Sequence, residues 1–271
     1  MQCHDSRRGS NIINCKMVEI IKGTVIKGLS LGRKLGFPTA NIELLDSHVE
    51  EGTYKVNVII YKSGDSGEYN TYLGVGAYLK AKGTFESYII DFNKDIYGKE
   101  VDIVLLKKLR ENKKFNSTDE LRAQIQKDVE LVKRHKDYVL TFGTYDLVHP
   151  GHRYFLEESK KYGNVLITIV ATDANVIKFK GKTPIRSEKE RVKDIHDLGI
   201  SDCVYLGQGG HPMLWLKLYN PKVVCLGYDQ VGFSSELTEY IKEKKLKTEI
   251  IRIQPYKEDQ YKSSIIKKTL K

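Results

Sequence analysis

The chain has 271 residues, 40% hydrophobic and 30% charged, which excludes a disordered polymer and gives enough length for two domains with a core each. No apolar run approaches the roughly 18 residues of a membrane span, and the polar N-terminus lacks the apolar centre of a secretory signal, so a cytoplasmic protein with no membrane partner is expected. The net charge of +10 suits anionic ligands, yet the lysines are dispersed and no aromatic-basic nucleic-acid motif occurs, which favours small phosphorylated molecules over nucleic acid.

Residues 1–16 are polar and aperiodic and read as a flexible extension. From Val18 the pattern is one of strands. GTYKVNVIIYKSG places Tyr54, Val56, Val58 and Ile60 on one face, KSGDSG supplies a turn, and EYNTYLGV, ESYIIDF and KEVDIVLL follow at similar spacing. Short strands with turns between them, and no helix before Ser117, predict a small antiparallel β-barrel.

Between the first strands lies KGLSLGRKLGFPTANI. Gly28, Gly32 and Gly36 allow close backbone approach to a ligand, Arg33 and Lys34 add positive charge, and Thr39 and Asn41 offer oxygen ligands two residues apart. Glu86 shares strand parity with Tyr88, Ile90 and Phe92, so a carboxylate stands on an apolar-rich face, either paired structurally or functional. Ser117 and Glu120 form a capping box for a helix with Leu121, Ile125, Val129 and Val132 at helical spacing. Its basic end, Lys133 to Lys136, reads as a linker.

The string GRKLGFPTAN, followed in order by Glu86, Tyr97-Gly98 and LRENKKF, resembles the riboflavin kinase family. That resemblance implies magnesium and ATP phosphates at Thr39 and Asn41, with Gly28, Gly32 and Lys34 beside the phosphates. It also implies Glu86 as general base toward the ribityl hydroxyl, and a flavin lined by Arg110 and Phe115. One departure is the segment GAYLKAKGTFE, where the family often has PTF after the glycine that precedes the glutamate strand.

The remainder alternates strand and helix, which predicts an α/β, Rossmann-like, doubly wound parallel sheet with binding at the carboxyl ends of its strands. Its first unit is VLTFGTYDLVHPGHRYFLE: a buried strand, a glycine turn, and two histidines opening a helix. His149 and His152 lie on one side of a helical turn, and Pro150 suits a helix start. The unpaired N–H groups of such a terminus receive phosphate, while imidazoles donate to oxygens that gain charge. A zinc pair is the competing reading, but the glutamate of HExxH and a third ligand at zinc spacing are missing. Asp173, Lys180 and Lys182 follow the second strand, and Asp229 follows KVVCLG. Ser187 and Glu190 form a second capping box, further helices are expected near Trp215 and from Ser234, and Ser263-Ser264 would open the last. Cys203 and Cys225, in strand-like runs, are expected to be buried thiols.

GTYDLVHPGH resembles the GTFDxxHxGH signature of the nucleotidyltransferase superfamily. LGYDQ, Pro255-Tyr256 and YKSS resemble its archaeal FAD synthase and glycerol-phosphate cytidylyltransferase branch. The resemblance implies ATP contacts from Thr144, Tyr145, His149, His152, Asp229 and Tyr256, triphosphate contacts from Ser263 and Ser264, and phosphate contacts from Lys180 and Lys182. Together the two resemblances imply a kinase domain over 17–134 and a transferase domain over 135–271. They imply riboflavin, FMN and ATP as substrates, FAD as product and magnesium as cofactor. The alternative is a transferase with another acceptor, or one using CTP.

Overall fold

A computed structural model describes residues 19–28, 31–45, 49–62, 68–134, 137–207, 212–257 and 259–261; the N-terminal extension and Ser263-Ser264 lie outside the described residues. The chain divides into two compact units, one chiefly of residues 19–134 and one chiefly of residues 137–261.

The first unit contains β1 (Glu19–Ile26), α1 (Leu31–Lys34), β2 (Thr39–Leu44), β3 (Gly52–Tyr61), β4 (Tyr69–Leu79), β5 (Thr84–Ile89), β6 (Glu100–Arg110) and α2 (Thr118–Arg134). The strands close an antiparallel barrel in the order β1-β2-β5-β4-β3-β6. Tyr54, Val56, Val58 and Ile60 fill its interior with Ile42, Phe85, Val101 and Ile103, so the period of two on β3 does mark a core face. Outside the barrel, Val129 and Val132 of α2 pack with Phe37, Val75 and Ile90 in a second cluster.

Two details differ from expectation. Helical turns precede Ser117: α1 sits inside the glycine loop, and a 3-10 turn spans Lys80–Lys82. Each is only three or four residues long, too short for a periodic signature. At the start of α2, the Ser117 hydroxyl accepts from the Glu120 N–H at 3.2 Å, but the Glu120 carboxylate accepts from the Asn116 N–H at 3.1 Å, one residue before the position of a capping box.

The second unit runs β7 (Tyr138–Gly143), α3 (Pro150–Lys160), β8 (Val165–Val170), α4 (Asp173–Lys180), α5 (Glu188–Asp197), β9 (Cys203–Leu206), α6 (Met213–Tyr219), β10 (Val223–Gly227), α7 (Val231–Glu243) and β11 (Glu249–Ile253). Its five strands are parallel in the order β11-β10-β7-β8-β9. The chain therefore winds outward from β7 in one direction and then from β10 in the other, which makes the β7/β10 gap the topological switch point. Val139, Leu156, Leu166, Ile195, Val223 and Cys225 form its core.

Ser187 and Glu190 complete both halves of their capping box at α5. α4 was not foreseen: Val176 is its one buried residue, so it has no apolar stripe, and its ends are set by Thr172, which accepts from the Asn175 N–H, and by left-handed Gly181. α7 begins three residues before Ser234, behind Gln230, whose side-chain oxygen accepts from the Gly227 N–H at 2.8 Å. Cys225 is a buried free thiol as expected, whereas Cys203, at the start of β9, the outermost described strand on that flank, is half-buried and disulfide-bonded.

Candidate active sites

In the barrel, strand pairing assembles the first site. Asn41 on β2 is the direct cross-strand partner of Glu86 on β5, and Thr39 is the partner of Tyr88, so Thr39, Asn41, Glu86 and Tyr88 project from one outer face. The glycines crowd that face from above. A Cβ on Gly28 would lie 2.0 Å from the Asn41 amide nitrogen, and one on Gly32 would lie 3.0 Å from Thr39 Oγ1 and 2.3 Å from the Phe37 carbonyl. Any side chain at either position would displace the loop from the oxygen donors, which is a physical reason for glycine there. Lys34 is exposed at the end of α1, and the Lys82 ammonium donates to Glu86 Oε1 at 3.1 Å. Beside the loop, Leu35, Gly36 and Phe37 face Asp119, Arg122, Ala123 and Gln126 of α2 across a cavity of about 490 Å³.

The structure engages Arg110 locally. Its guanidinium donates to Asp128 of α2 at 2.8 and 3.1 Å, Gln124 supports the same carboxylate at 2.9 Å, and the Arg110 cation stands 5.9 Å from the Phe115 ring centroid. This ion pair fastens α2 to the end of β6.

At the carboxyl edge of the parallel sheet, β7 delivers a turn with two non-glycine residues in the left-handed region, Tyr145 (φ 53°) and Leu147 (φ 58°). Such residues cost of order 1–3 kcal/mol each and persist only where the surroundings hold them. Asp146, between them, is the restraint: it is buried, and its carboxylate accepts from the backbone N–H groups of Ile185 and Arg186 at 3.0 and 3.1 Å. Gly143 makes room for the Tyr145 ring, since a Cβ there would meet that ring at 2.6 Å. Tyr145 is buried in the core with its ring edge-on to His152 at 5.4 Å, so it forms the wall behind the histidine.

His149 precedes Pro150, the first residue of α3, and stacks on His152 with ring centroids 3.8 Å apart. Gly151 fits beneath, where a Cβ would approach the His149 ring and the Tyr261 carbonyl at 3.0 Å. Burial pushes the His152 pKa down to about 3, assisted by His149 and by the positive field of Lys180 and opposed by Asp146. Burial lowers His149 as well. Both imidazoles are thus neutral at pH 7, and the buried His152 Nδ1 has no hydrogen-bond partner among the described residues. Around these rings the first turn of α3 begins; Pro150 carries no N–H, and the His152 and Arg153 N–H groups donate to the His149 carbonyl at 2.9 and 3.2 Å, so what the helix start offers an anionic oxygen is chiefly the positive end of its dipole.

The flanking segments are held by a residue that sequence reading passed over. Arg191, on α5, is completely buried; it donates to the Thr144 carbonyl at 2.5 Å, to Asp173 Oδ1 at 2.6 Å and to the Arg186 carbonyl at 3.1 Å. One guanidinium therefore ties together the turn after β7, the start of α4 and the segment before α5. Asp173 spends its carboxylate on that bridge and on the Glu188 N–H. Lys180 and Lys182 are exposed on either side of Gly181. Across the switch point the Gln230 amide donates to the Phe142 carbonyl at 2.8 Å, and Arg252 donates to the Gly227 carbonyl at 2.7 Å, fixing the turn that carries Asp229. Tyr256 follows β11, stacked between Tyr154 at 5.0 Å and Tyr261 at 5.9 Å. Among the described residues no group of His, Cys, Asp and Glu side chains is arranged to hold a metal ion, and no helix is long and apolar enough to cross a membrane.

Comparison with known proteins agrees with this division. Residues 18–136 match the riboflavin kinase (flavokinase) family and residues 140–269 the cytidylyltransferase-like family. An FAD synthase of Thermococcus sibiricus is 38% identical over 138 residues, covering 51% of this chain and 90% of the relative. An FAD synthase of Methanosarcina barkeri is 40% identical over 135 residues, covering 49% of this chain and 96% of the relative. The RNA-binding riboflavin kinase RibR of Bacillus subtilis is 37% identical over 115 residues, covering 42% of this chain and 50% of that protein.

Proposed function

Because the chain belongs to the FAD synthase family and carries a riboflavin kinase domain ahead of the transferase, we propose that it makes FAD from riboflavin in two steps. Residues 17–134 form the kinase domain and residues 135–271 the transferase, after an N-terminal extension over 1–16.

In the first step the ribityl hydroxyl oxygen bonds to the γ-phosphorus of ATP, its proton passes to Glu86, and ADP leaves with the electrons of the broken P–O bond. Thr39 and Asn41 position the triphosphate under the Gly28 and Gly32 backbone, and Lys34 supplies charge. The cavity against α2 is large enough for the flavin ring, and Arg110, the last residue of β6, and Phe115, in the segment that follows it, belong to the flavin side. The donors of this face are oxygen and amide groups with one carboxylate, a hard set that suits magnesium brought on ATP phosphates. The ion would neutralise charge on the transferring phosphoryl group, held by Thr39 and Asn41.

In the second step an FMN phosphate oxygen bonds to the α-phosphorus of a second ATP, the Pα–O–Pβ link breaks, and pyrophosphate leaves. The attacking oxygen is already anionic, so no base is required. The neutral imidazoles of His149 and His152 donate to the phosphate oxygens as charge moves onto them, and the α3 terminus adds the positive end of its dipole. Lys180 and Lys182 receive the departing pyrophosphate together with Ser263 and Ser264. Thr144, Asp229 and Tyr256 hold the nucleotide, while Tyr145 keeps the His152 ring in place.

One observation carries the reading: a single chain holds both the Asn41–Glu86 pair under its glycine loop and the stacked, proton-poor histidines at a helix start. Incubation with riboflavin, ATP and magnesium, followed by chromatography, tests it; FMN should appear first and FAD after it. A second reading, favoured by the cytidylyltransferase-like match, gives the second unit CTP or another phosphorylated alcohol. Parallel assays of FMN with ATP and glycerol phosphate with CTP separate the two.

A further inference from the structure

The stretch GAYLKAKGTFE, which departs from the riboflavin kinase pattern, contains the hairpin loop between β4 and β5. Leu79 pairs with Thr84 at the base of that loop, and a 3-10 turn spans Lys80–Lys82. Left-handed Gly83 (φ 63°) closes it, its N–H donating to the Leu79 and Lys80 carbonyls at 3.0 and 3.2 Å. The loop is short and hydrogen-bonded, and it holds Lys82 four residues before Glu86. From there the Lys82 ammonium donates to Glu86 Oε1 at 3.1 Å.

Glu86 stands in a row across three strands, with Asn41 of β2 on one side and Ala77 of β4 on the other. Ala77 presents only a methyl group, which leaves space beside the carboxylate for a long side chain to reach it. Among the described residues Lys82 is the one partner of this carboxylate, and it binds Oε1 alone, so Oε2 is left for a proton. With the lysine side chain 55% exposed and the glutamate 29%, such a pair contributes little to stability; its significance lies in the group it holds.

A carboxylate base that serves phosphoryl transfer is itself an anion, and it must face a triphosphate of the same sign. Repulsion turns such a carboxylate aside or favours its protonated form, and either stops it from taking a proton. We infer that Lys82 is a positioning residue for riboflavin phosphorylation: its ammonium offsets the charge of Glu86 and orients it through Oε1, so that Oε2 meets the ribityl hydroxyl. The hydroxyl proton then passes to Oε2, the hydroxyl oxygen bonds to the γ-phosphorus, and ADP leaves with the electrons of the broken P–O bond. This rests on the kinase reading above and adds a residue that it did not use. The ammonium is a point charge on a flexible stem, so arginine, which keeps both charge and donors, can replace it in large part.

The test uses the full-length chain with riboflavin, ATP and magnesium, and reads initial rates of total FMN plus FAD. In Lys82→Met, which keeps most of the side-chain length and removes the charge, kcat should fall about tenfold or more, as for a reacting group no longer held in place. The KM for riboflavin should stay within about twofold, and Lys82→Arg should recover most of the rate. Lys80→Met takes an equal charge from the same loop and should leave kcat within about twofold, because Lys82 and not Lys80 engages Glu86. Adenylylation of supplied FMN and thermal melting should be unchanged in all three variants. An unchanged kcat in Lys82→Met makes the pair an ordinary surface contact and overturns the assignment while the kinase reading stands. Three further results overturn it as well. An equal loss in Lys80→Met would show only the general positive field of the loop. A raised KM for ATP with kcat unaltered would make Lys82 a triphosphate contact. A parallel loss of adenylylation or of melting temperature would make its role structural. If wild type forms no FMN from riboflavin, the kinase reading itself has failed, and this role with it.

Discussion

Replacing Asp146 by asparagine removes one of two carboxylate oxygens that accept from the Ile185 and Arg186 N–H groups at 3.0 and 3.1 Å. Hydrogen bonds to a charged acceptor contribute roughly 1.5–3 kcal/mol each, and here they also hold two left-handed residues in place. Asparagine keeps one acceptor and turns an NH2 group toward an N–H donor, so at least one bond is lost. Because Ile185 is more than half exposed, its freed N–H can find water, which favours the lower end of that range. A loss of about 1.5–3 kcal/mol in the placement of the histidine turn against the Lys180–Lys182 segment corresponds to about a 10- to 150-fold drop in kcat/KM for FMN adenylylation. Asp146 acts through other groups, so the readout must separate placement from folding. Steady-state kinetics with FMN and ATP should show the drop, limited proteolysis should show earlier cleavage within residues 181–186, and riboflavin phosphorylation should be unchanged. If the variant loses both activities in proportion, or neither, Asp146 does not couple the two segments.

His152→Ala should lower FAD formation by about 10²- to 10³-fold and let FMN accumulate from riboflavin, as expected for removing one donor to the developing charge; chromatography of a riboflavin time course checks this. Glu86→Gln should block phosphorylation of riboflavin while supplied FMN is still converted to FAD, measured in the same assay with each flavin in turn. The pH dependence of stability has a definite sign. His152 titrates near 3 in the folded chain against an ordinary value of about 6.5, so its neutral form contributes stability fully present above pH 6.5 and lost as pH falls toward 3. Urea unfolding of the second unit between about pH 4.5 and 7 should therefore steepen by up to about 1.4 kcal/mol per unit, less for partial exposure. In His152→Phe that share of the slope should vanish; an unchanged slope would show that the imidazole is not kept neutral by burial.

Much of this arrangement was legible because its elements carry strong local signals. The alternation on β3, the glycines around Lys34, and the strand-turn-helix of the HPGH stretch each fix local geometry, and the structure joins Asn41 to Glu86 where parity alone left the glutamate's role open. Arg191 was not legible. It stands in SEKERVKDI, where charged residues dominate and a capping box advertises an exposed helix, and only the tertiary fold turns that one guanidinium inward. Asp146 was hidden for a related reason: it belongs to a motif whose histidines draw the eye, and its partners lie 39 and 40 residues downstream. α4 escaped because its ends are defined by caps and not by a stripe.

Closure of the six-stranded barrel has a consequence for association. A cylinder offers no row of unsatisfied amides to a passing strand, so among the described strands unwanted templating by a stray segment can begin only at the margins of the five-stranded sheet. Those margins are guarded differently: β9 is only four residues long, and β11 carries Glu249 and Arg252 along its rim. Brevity on one flank and charge on the other are what keep the open half from recruiting strangers, a duty from which the cylinder is exempt.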